Sequence, residues 1–386
     1  MGPRQERPPG PPCRLKARPP PVCANAPYAD MPTRGLLVLA ALTAATVVAS
    51  WIAVDARYRE TVLEARGGEP VFPELRDRIG RVAGIEVGRA GDGFALERRG
   101  DGWANTGLGG YPARAELIEA VLSEMVGLRY LEPKTARAAL YPELAVEDPE
   151  PGAGSTRLTL RDEDGGVLVD LIVGKAGLRT ADADRAGVYI RLPGRERAWR
   201  AEGTLDVHRG AGDWSDRAIV DIDGRSVRSL TVRHAHGEVV DLHRASPDDR
   251  KLTLRNLPAG AAVAHPHHID YMAGLLAGLS FDDARAGGRS DPAVTSGFEA
   301  TVETFDHLRV TLRTGPPADD GSLWAVVDAG LADAAGASDH ARAEASRIAS
   351  ELDGWLVKLP RRVSDRLEIR LHDIIGAGST GAGRES

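Results

Sequence analysis

Glu116–Glu132 reads ELIEAVLSEMVGLRYLE, and His267–Asp283 reads HHIDYMAGLLAGLSFDD, 151 residues further on. Laid over each other without a gap, they pair Ile118 with Ile269, Glu119 with Asp270, Gly127-Leu128 with Gly278-Leu279, and Tyr130 with Phe281. In the first stretch Leu117, Ile118, Val121, Leu122, Met125 and Leu128 recur at three- and four-residue spacing, the mark of a helix with one apolar face. The spacing predicts a helix from about Pro112 to Arg129, with Pro112 in the first turn, where a missing N–H costs nothing. It predicts a second from about Pro266 to Phe281. Ser215-Asp216-Arg217 is echoed by Ser364-Asp365-Arg366 at an offset of 149. Two matches at nearly one offset predict a duplicated unit.

Strand patterns flank both helices. Ile85-Glu86-Val87 and Phe94–Glu97 alternate apolar and polar residues, as half-buried strands do. Asp92-Gly93 and Asp101-Gly102 are hairpin-turn signals, and Trp103 anchors a third strand. Further strands are expected at Arg157–Arg161, Val167–Val173 and Val188–Leu192, punctuated by Gly154, Asp164-Gly165-Gly166 and Pro193-Gly194. Gly203–Arg217 reads as a short helix or turn before a strand at Ala218–Ile222. The order then recurs. Val227–Arg233 and Val239–His243 pair around His236-Gly237, and Lys251–Leu254 matches the Trp103 strand. After the second helix come strands at Phe298–Thr304, Leu308–Arg313 and Leu323–Val327, and a helix at about Ala341–Leu352. The expected fold class is α+β, a duplicated antiparallel-sheet-plus-helix unit. Unit 1 spans 82–222 and unit 2 spans 223–375; 376–386 is a Gly/Ser-rich flexible tail.

Ahead of the body, Gly35–Val54 (GLLVLAALTAATVVASWIAV) holds no charged residue. At about 1.5 Å per residue it is long enough to cross a hydrocarbon core of roughly 30 Å. Arg4, Arg7, Arg14, Lys16, Arg18 and Arg34 precede it, against Glu6 and Asp30, so the N-terminus is expected inside and the body outside. Residues 34–54 are therefore read as a single transmembrane helix, a signal anchor, and 55–81 as a stalk. Small residues at Val48-Ala49-Ser50 and Val54-Asp55-Ala56 leave a cleaved signal peptide as the rival reading, but the run exceeds the usual h-region of about 7–15 residues. Either way the body is exported. Residues 1–33 are Pro- and Arg-rich and read as a disordered cytoplasmic tail. Met31, directly before Pro-Thr-Arg and the apolar run, has the shape of an alternative start.

Charge and cysteine content exclude some classes. Residues 1–34 hold six basic and two acidic side chains, which leaves −11 for the rest of a chain whose net charge is −7. An acidic body argues against nucleic acid or anionic headgroups as the main partners. The two cysteines, Cys13 and Cys23, lie in the tail. The body thus has no disulfide and no thiolate chemistry.

This ordering resembles a family of bacterial membrane-anchored proteins defined as domain-of-unknown-function family 4340. The points of similarity are the Trp103 strand, the ELIEAVLSEMVGLRYLE helix, the Leu171-Ile172-Val173-Gly174 strand end, the Val188-Tyr189-Ile190-Arg191 strand and Trp214-Ser215-Asp216-Arg217. They cover about residues 34–375. Only the stretch 1–30 departs from the family pattern, which bears on the start codon. The resemblance implies an extracytoplasmic accessory of ABC-type transporters, some linked to gliding motility. It carries over no active-site residues.

His265, His267 and His268 cluster at the start of the second helix, His234 and His236 share a strand face, and His243 lies on the next strand. Grouped imidazoles can bind zinc, but the spacing fits no zinc signature, and solvated surface accounts for them as well. Gly174-Lys175-Ala176-Gly177 lacks the spacing of a phosphate loop, and no G-x-S-x-G elbow is present. Asp162-Glu163-Asp164 and Asp282-Asp283 read as turn carboxylates rather than a general acid–base pair. Trp103, Trp199, Trp214, Trp324 and Trp355 read mostly as core anchors.

No catalytic, cofactor-binding or metal-binding residue is assigned, and no cofactor is expected. The function expected is that of a non-enzymatic, membrane-anchored extracytoplasmic component that binds membrane protein partners, with ABC-type transporter subunits foremost. It would sit in the bacterial inner membrane as a single-pass protein with a periplasmic body, and bind no nucleic acid. Sheet edges and the anchor helix are the natural contact surfaces. Two alternatives remain at this point. One is an envelope-acting enzyme or metal binder using His234, His236, His265, His267 and His268. The other is a solute-binding module with a cleft between the units.

Overall fold

The computed structural model describes residues 67–177 and 186–375. The expected anchor, the tail ahead of it, both cysteines and the C-terminal tail lie outside the described residues. In chain order, a one-turn helix α1 (Leu75–Arg78) leads into β1 (Val82–Arg89), β2 (Asp92–Arg99), β3 (Gly102–Asn105) and β4 (Tyr111–Pro112). Helix α2 (Ala115–Gly127), β5 (Arg129–Pro133) and the short α3 (Tyr141–Leu144) follow. Next are β6 (Thr156–Asp162), β7 (Val167–Gly177), β8 (Gly187–Arg191) and β9 (Ala198–Glu202). The chain continues with β10 (Ala218–Val220), β11 (Val227–Arg233), β12 (Val239–His243), β13 (Thr253–Leu254) and α4 (Pro266–Ala273). Then come β14 (Leu279–Ser280), β15 (Asp283–Ala286), β16 (Glu299–Thr304), β17 (Leu308–Thr314) and β18 (Leu323–Leu331). Helix α5 (Asp339–Leu352), β19 (Trp355–Leu359), α6 (Arg361–Leu367) and α7 (Leu371–Ile375) close the described chain.

The fold is α+β and its strand pairings are antiparallel. One sheet runs β4-β3-β2-β1-β6-β7-β8-β9-β5 and the other β13-β12-β11-β16-β17-β18-β19-β15. Setting β4 aside, the two orders coincide when β11, β12, β13, β15 and β16–β19 are read for β1, β2, β3, β5 and β6–β9. The lead-in strands agree as well. Pro70 bridges Arg129 ahead of the first sheet, and Ala218 pairs with Ser280 ahead of the second.

Each sheet buries one face under helix. Ile118, Val121 and Met125 of α2 pack with Ile85, Leu160 and Leu171. In the second half Ile269 and Met272 of α4 pack with Leu230, Val302 and Leu312, and Ile348 of α5 joins them. The crossover from β5 to β6 turns back over the opposite face, where Tyr141 and Val146 cover Ile172 and Ala198. Between β15 and β16, Val294 does the same over Val326 and Leu356. Both crossovers rest on a glycine at the same place. Thr159 pairs with Asp170 and Thr301 with Thr311, and four residues beyond each stand Gly174 and Gly315. A Cβ on Gly174 would lie 2.3 Å from the Leu144 carbonyl oxygen, and one on Gly315 would lie 1.9 Å from that of Ala293.

The halves join through β4. Tyr111 and Leu108 belong to the core of the second sheet. The Tyr111 ring meets Phe281 and Trp355 edge-on at 5.1 and 5.0 Å. Burial, reinforced by Glu351 and Asp216, pushes its phenol up to about 12.

Several expectations are corrected. The first hairpins turn at Ala90-Gly91 and Gly100-Asp101, because Arg89 pairs with Asp92 and Arg99 with Gly102. Gly91 and Gly100 take φ of +82° and +58° there, which only glycine adopts without strain. Pro112 lies in β4 opposite Ala104, not in a helix. The second helix ends at Ala273, capped by Gly274. Ser364–Arg366 are helical, whereas Ser215–Arg217 are extended before β10, so that echo has no shared conformation. Val71 and Leu75, inside the expected stalk, are core residues of the first sheet. Ile219, Val220 and Ile222 belong to the second core rather than the first.

Candidate functional site

Two regions gather chemistry-bearing side chains. The first is the face of each sheet opposite its main helical cover, where the crossovers leave it open. Alternation along β1 sets Gly84, Glu86 and Gly88 on it, so its floor is partly bare backbone. Arg161 on β6 donates two bonds to Glu86, at 2.6 and 3.1 Å. Arg157 grips Asp170 of β7 at 2.8 and 2.6 Å. Glu86, Arg157, Thr159, Arg161 and Asp170 line a shallow hollow of about 280 Å³. In the second sheet Arg309 pairs with Glu303 at 2.8 Å, and Arg313 bridges Glu299 at 3.1 Å and Asp328 at 2.8 Å. The hydrogen bond to Asp170 raises the Arg157 guanidinium above its ordinary value, and the bond to Glu86 does the same for Arg161. These carboxylates are committed to guanidinium partners, which suits a docking face better than general acid–base work.

The second region is a histidine seam at one end of the second sheet. The β11–β12 turn carries His234, His236 and Glu238, and the start of α4 carries His265, His267 and His268. Helix α7 ties both ends together. Leu371 donates its N–H to Glu238 at 2.6 Å. Ala264 and His265 donate theirs to the Ile374 carbonyl at 3.0 and 2.9 Å. His234 is 5 % exposed, with its ring 5.4 Å from both His236 and Phe298. Burial lowers its pKa most, and His236 and Arg370 add to that. His236 pairs with Glu238 at 3.1 Å. His267 and His268 stack at 4.2 Å, and burial lowers the pKa of His268. His243 lies at the other end of the hairpin, opposite Ser229. Among the described residues no group of three or more His, Cys, Asp and Glu side chains is arranged to hold a metal ion.

The other sequence candidates have structural roles. Gly174 admits the Leu144 carbonyl, and Lys175 donates to the Glu143 carbonyl at 3.0 Å. Asp162 closes its turn by accepting from the Gly166 N–H at 2.7 Å. Trp103, Trp199 and Trp214 are core residues, while Trp324 and Trp355 are half-buried against it. Arg98 stacks over Trp103 and Arg285 over Trp324, at 4.9 and 5.0 Å.

Three buried arginines, Arg191, Arg200 and Arg244, carry no mark of burial in the sequence. Arg191 holds the first crossover through the Val146 carbonyl at 2.7 Å, Asp148 at 3.0 Å and the Tyr141 ring at 4.7 Å. Arg244 donates to the carbonyls of Gly224, Arg225 and Val227. A guanidinium on or just past an alternating strand is the sequence signal of each, and it looks the same as a solvated one.

No curated protein and no solved structure matches this chain. A family model, Domain of unknown function (DUF4340), matches residues 103–300, from the Trp103 strand through α2, the first sheet and α4 to β16. That is just over half of the 386 residues, and the chain belongs to the domain-of-unknown-function 4340 family.

Proposed function

We propose that this protein is a membrane-anchored extracytoplasmic accessory, not an enzyme, which binds protein partners, foremost the membrane subunits of an ABC-type transport or export complex. The observation that carries this reading is the pair of sheet faces, open beyond their crossovers, that bear Arg–Glu and Arg–Asp ladders. The sheet edges offer less. The edge strand β5 is met by Gly68 and Glu69, whose backbone bonds Tyr130. The β13 edge is two residues long, and β15 contacts β4 of the other sheet. Broad polar faces of this kind fit wet, shape-matched protein contacts.

The body is read as a duplication of one sheet-plus-helix unit. The coinciding strand orders, the aligned Leu128 and Leu279, and the matched Gly174 and Gly315 support it. The membrane reading rests on the apolar run Gly35–Val54 and the basic residues before it. Among the described residues no helix is long and apolar enough to cross a membrane. A solute cleft between the halves is disfavoured, since Tyr111 fills the junction against Phe281 and Trp355.

Crosslinking and co-purification from native membranes, with the anchor intact, test this function. Recovery of transporter membrane subunits, lost when Arg161 and Arg309 are both changed to Glu, is the expected result. Reporter fusions placing the carboxyl end in the cytosol would overturn it.

A further inference from the structure

Six of the ten histidines meet on one seam: His234, His236, His265, His267, His268 and His372. The element between them is the segment Ile369–Ile375, which contains α7. It is held by three backbone hydrogen bonds, donated by Leu371, Ala264 and His265, and by Ile369 and Ile374, whose side chains are buried in the second core. We propose that this segment is an acid-sensitive latch, docked when the imidazoles are neutral and released from the β11–β12 turn and from α4 when they take up protons.

The geometry sets out why protonation would break it. His234 hydrogen-bonds the Ile369 backbone, and its Nε2 is buried without a hydrogen-bond partner. A proton added there places a donor where no acceptor waits, which disfavours the charged ring. Burial opposes the new charge most, and Arg370 and His236 add to that; Glu238 and the bond to the Ile369 backbone favour it. From the β16 side the Phe298 ring meets the imidazole edge-on, and Arg233, paired in register with Glu299, lies on the other face of the sheet. At the α4 end, His265 and His267 oppose a charge on His268, and Asp373 favours it. Asp373 also pairs with His372 at 3.2 Å. Lys251, 3.8 Å from Asp270, brings one more cation to that helix.

The sign follows from linkage. A released His234 or His268 has the ordinary imidazole value near 6.5, and the docked ring a lower one. The released state therefore binds more protons, and the latch weakens as pH falls below about 6.5. The Glu238 carboxyl is held below its ordinary 4.5 by the Leu371 N–H and His236, against the effect of burial. Its contribution is present above about 4.5 and fails only in stronger acid. The first window is thus the histidines'.

Hydrogen–deuterium exchange on the full chain in detergent tests the latch, with labelling times scaled for the slower chemical exchange in acid. Between about pH 7.5 and about pH 5.5, protection of 369–375 and of Ala264 and His265 should fall roughly tenfold relative to β17. His234→Phe, and independently His234→Gln, should retain protection at about pH 5.5 because neither ring nor amide takes up a proton there. His340→Gln, on α5 away from the seam, should behave as the parent does. Equal protection at both pH values, or loss from β17 and the segment together, would overturn the proposal. So would acid release unchanged in both His234 variants.

Discussion

In the first half a 13-residue helix, Ala115–Gly127, spans its sheet; in the second, the counterpart Pro266–Ala273 stops after eight. The shortfall is made up by Asp339–Leu352, inserted between β18 and β19, where the first half has only the turn Leu192–Arg197. Ser338 caps that inserted helix, and Asp306 accepts from both Ser338 and Thr304. The halves thus agree in strand order, in the helix-to-strand joint and in the glycine under the crossover, and disagree in how the helical cover is assembled. Strand order is fixed by many pairings at once, whereas cover needs only apolar area, which one helix or two can supply. The second half also holds nine of the ten histidines, leaving His208 alone in the first. There it bridges Thr156 and the Gly174 carbonyl.

The sharpest way to break this equivalence is at the joint itself. Leu128 is 0 % and Leu279 2 % exposed. Leu128→Ala and Leu279→Ala should each cost about 3 kcal/mol, the middle of the range for emptied leucine sites, read from urea unfolding midpoints. Costs differing by more than about 2 kcal/mol would mean that the two leucines do unlike work. Next in size are Gly174→Ala and Gly315→Ala. Each added methyl meets a backbone carbonyl that cannot swing aside. A loss of about 1–3 kcal/mol is expected at both, with exchange protection falling first in the crossover above.

How far the equivalence could be read beforehand depended on the range of the contacts. The apolar stripe of α2, the β11–β12 hairpin and the Ile118–Ile269 match are local patterns, and they survive. Short closing strands left no such trace. Ala198–Glu202 and Trp355–Leu359 find β5 and β15 as partners through the fold alone. Pro112 carried a helix signal but was taken by β4, because the N–H that proline lacks is dispensable at an edge strand too. The turns moved off Asp92-Gly93 and Asp101-Gly102 because Gly91 and Gly100 meet the dihedral demand one or two residues earlier. At the candidate sites, the histidine groups could be named from sequence, but not the α7 segment that joins them. The ladder residues looked like ordinary solvated strand positions until register put Arg157 beside Asp170.

The junction offers a smaller test, confined to alkaline pH. An unfolded tyrosine ionises near 10 and Tyr111 near 12. The folded state therefore resists losing that proton, and its stability is present below 10 and lost as pH rises towards 12. Tyr111→Phe removes the ionisation. Between about pH 9 and about pH 11 the parent should lose about 1 kcal/mol relative to the variant, judged by urea midpoints. A constant difference across that range would mean the ring is not sealed between the halves.

The weakest stability effect is expected on the open faces, and that weakness makes it useful. Arg161 and Glu86 are 36 % and 47 % exposed along their side chains, so their attraction is screened by water and salt. Arg161→Ala should cost less than about 1 kcal/mol, and Arg309→Ala in the second sheet about the same. Partner capture is the discriminating readout. If the ladders exist only to keep the strands soluble, Arg161→Glu together with Glu86→Arg restores the pair and changes nothing. If the face docks a partner, the swapped pair keeps the fold and still loses capture, because a partner reads the position of each charge and the sheet reads only their sum.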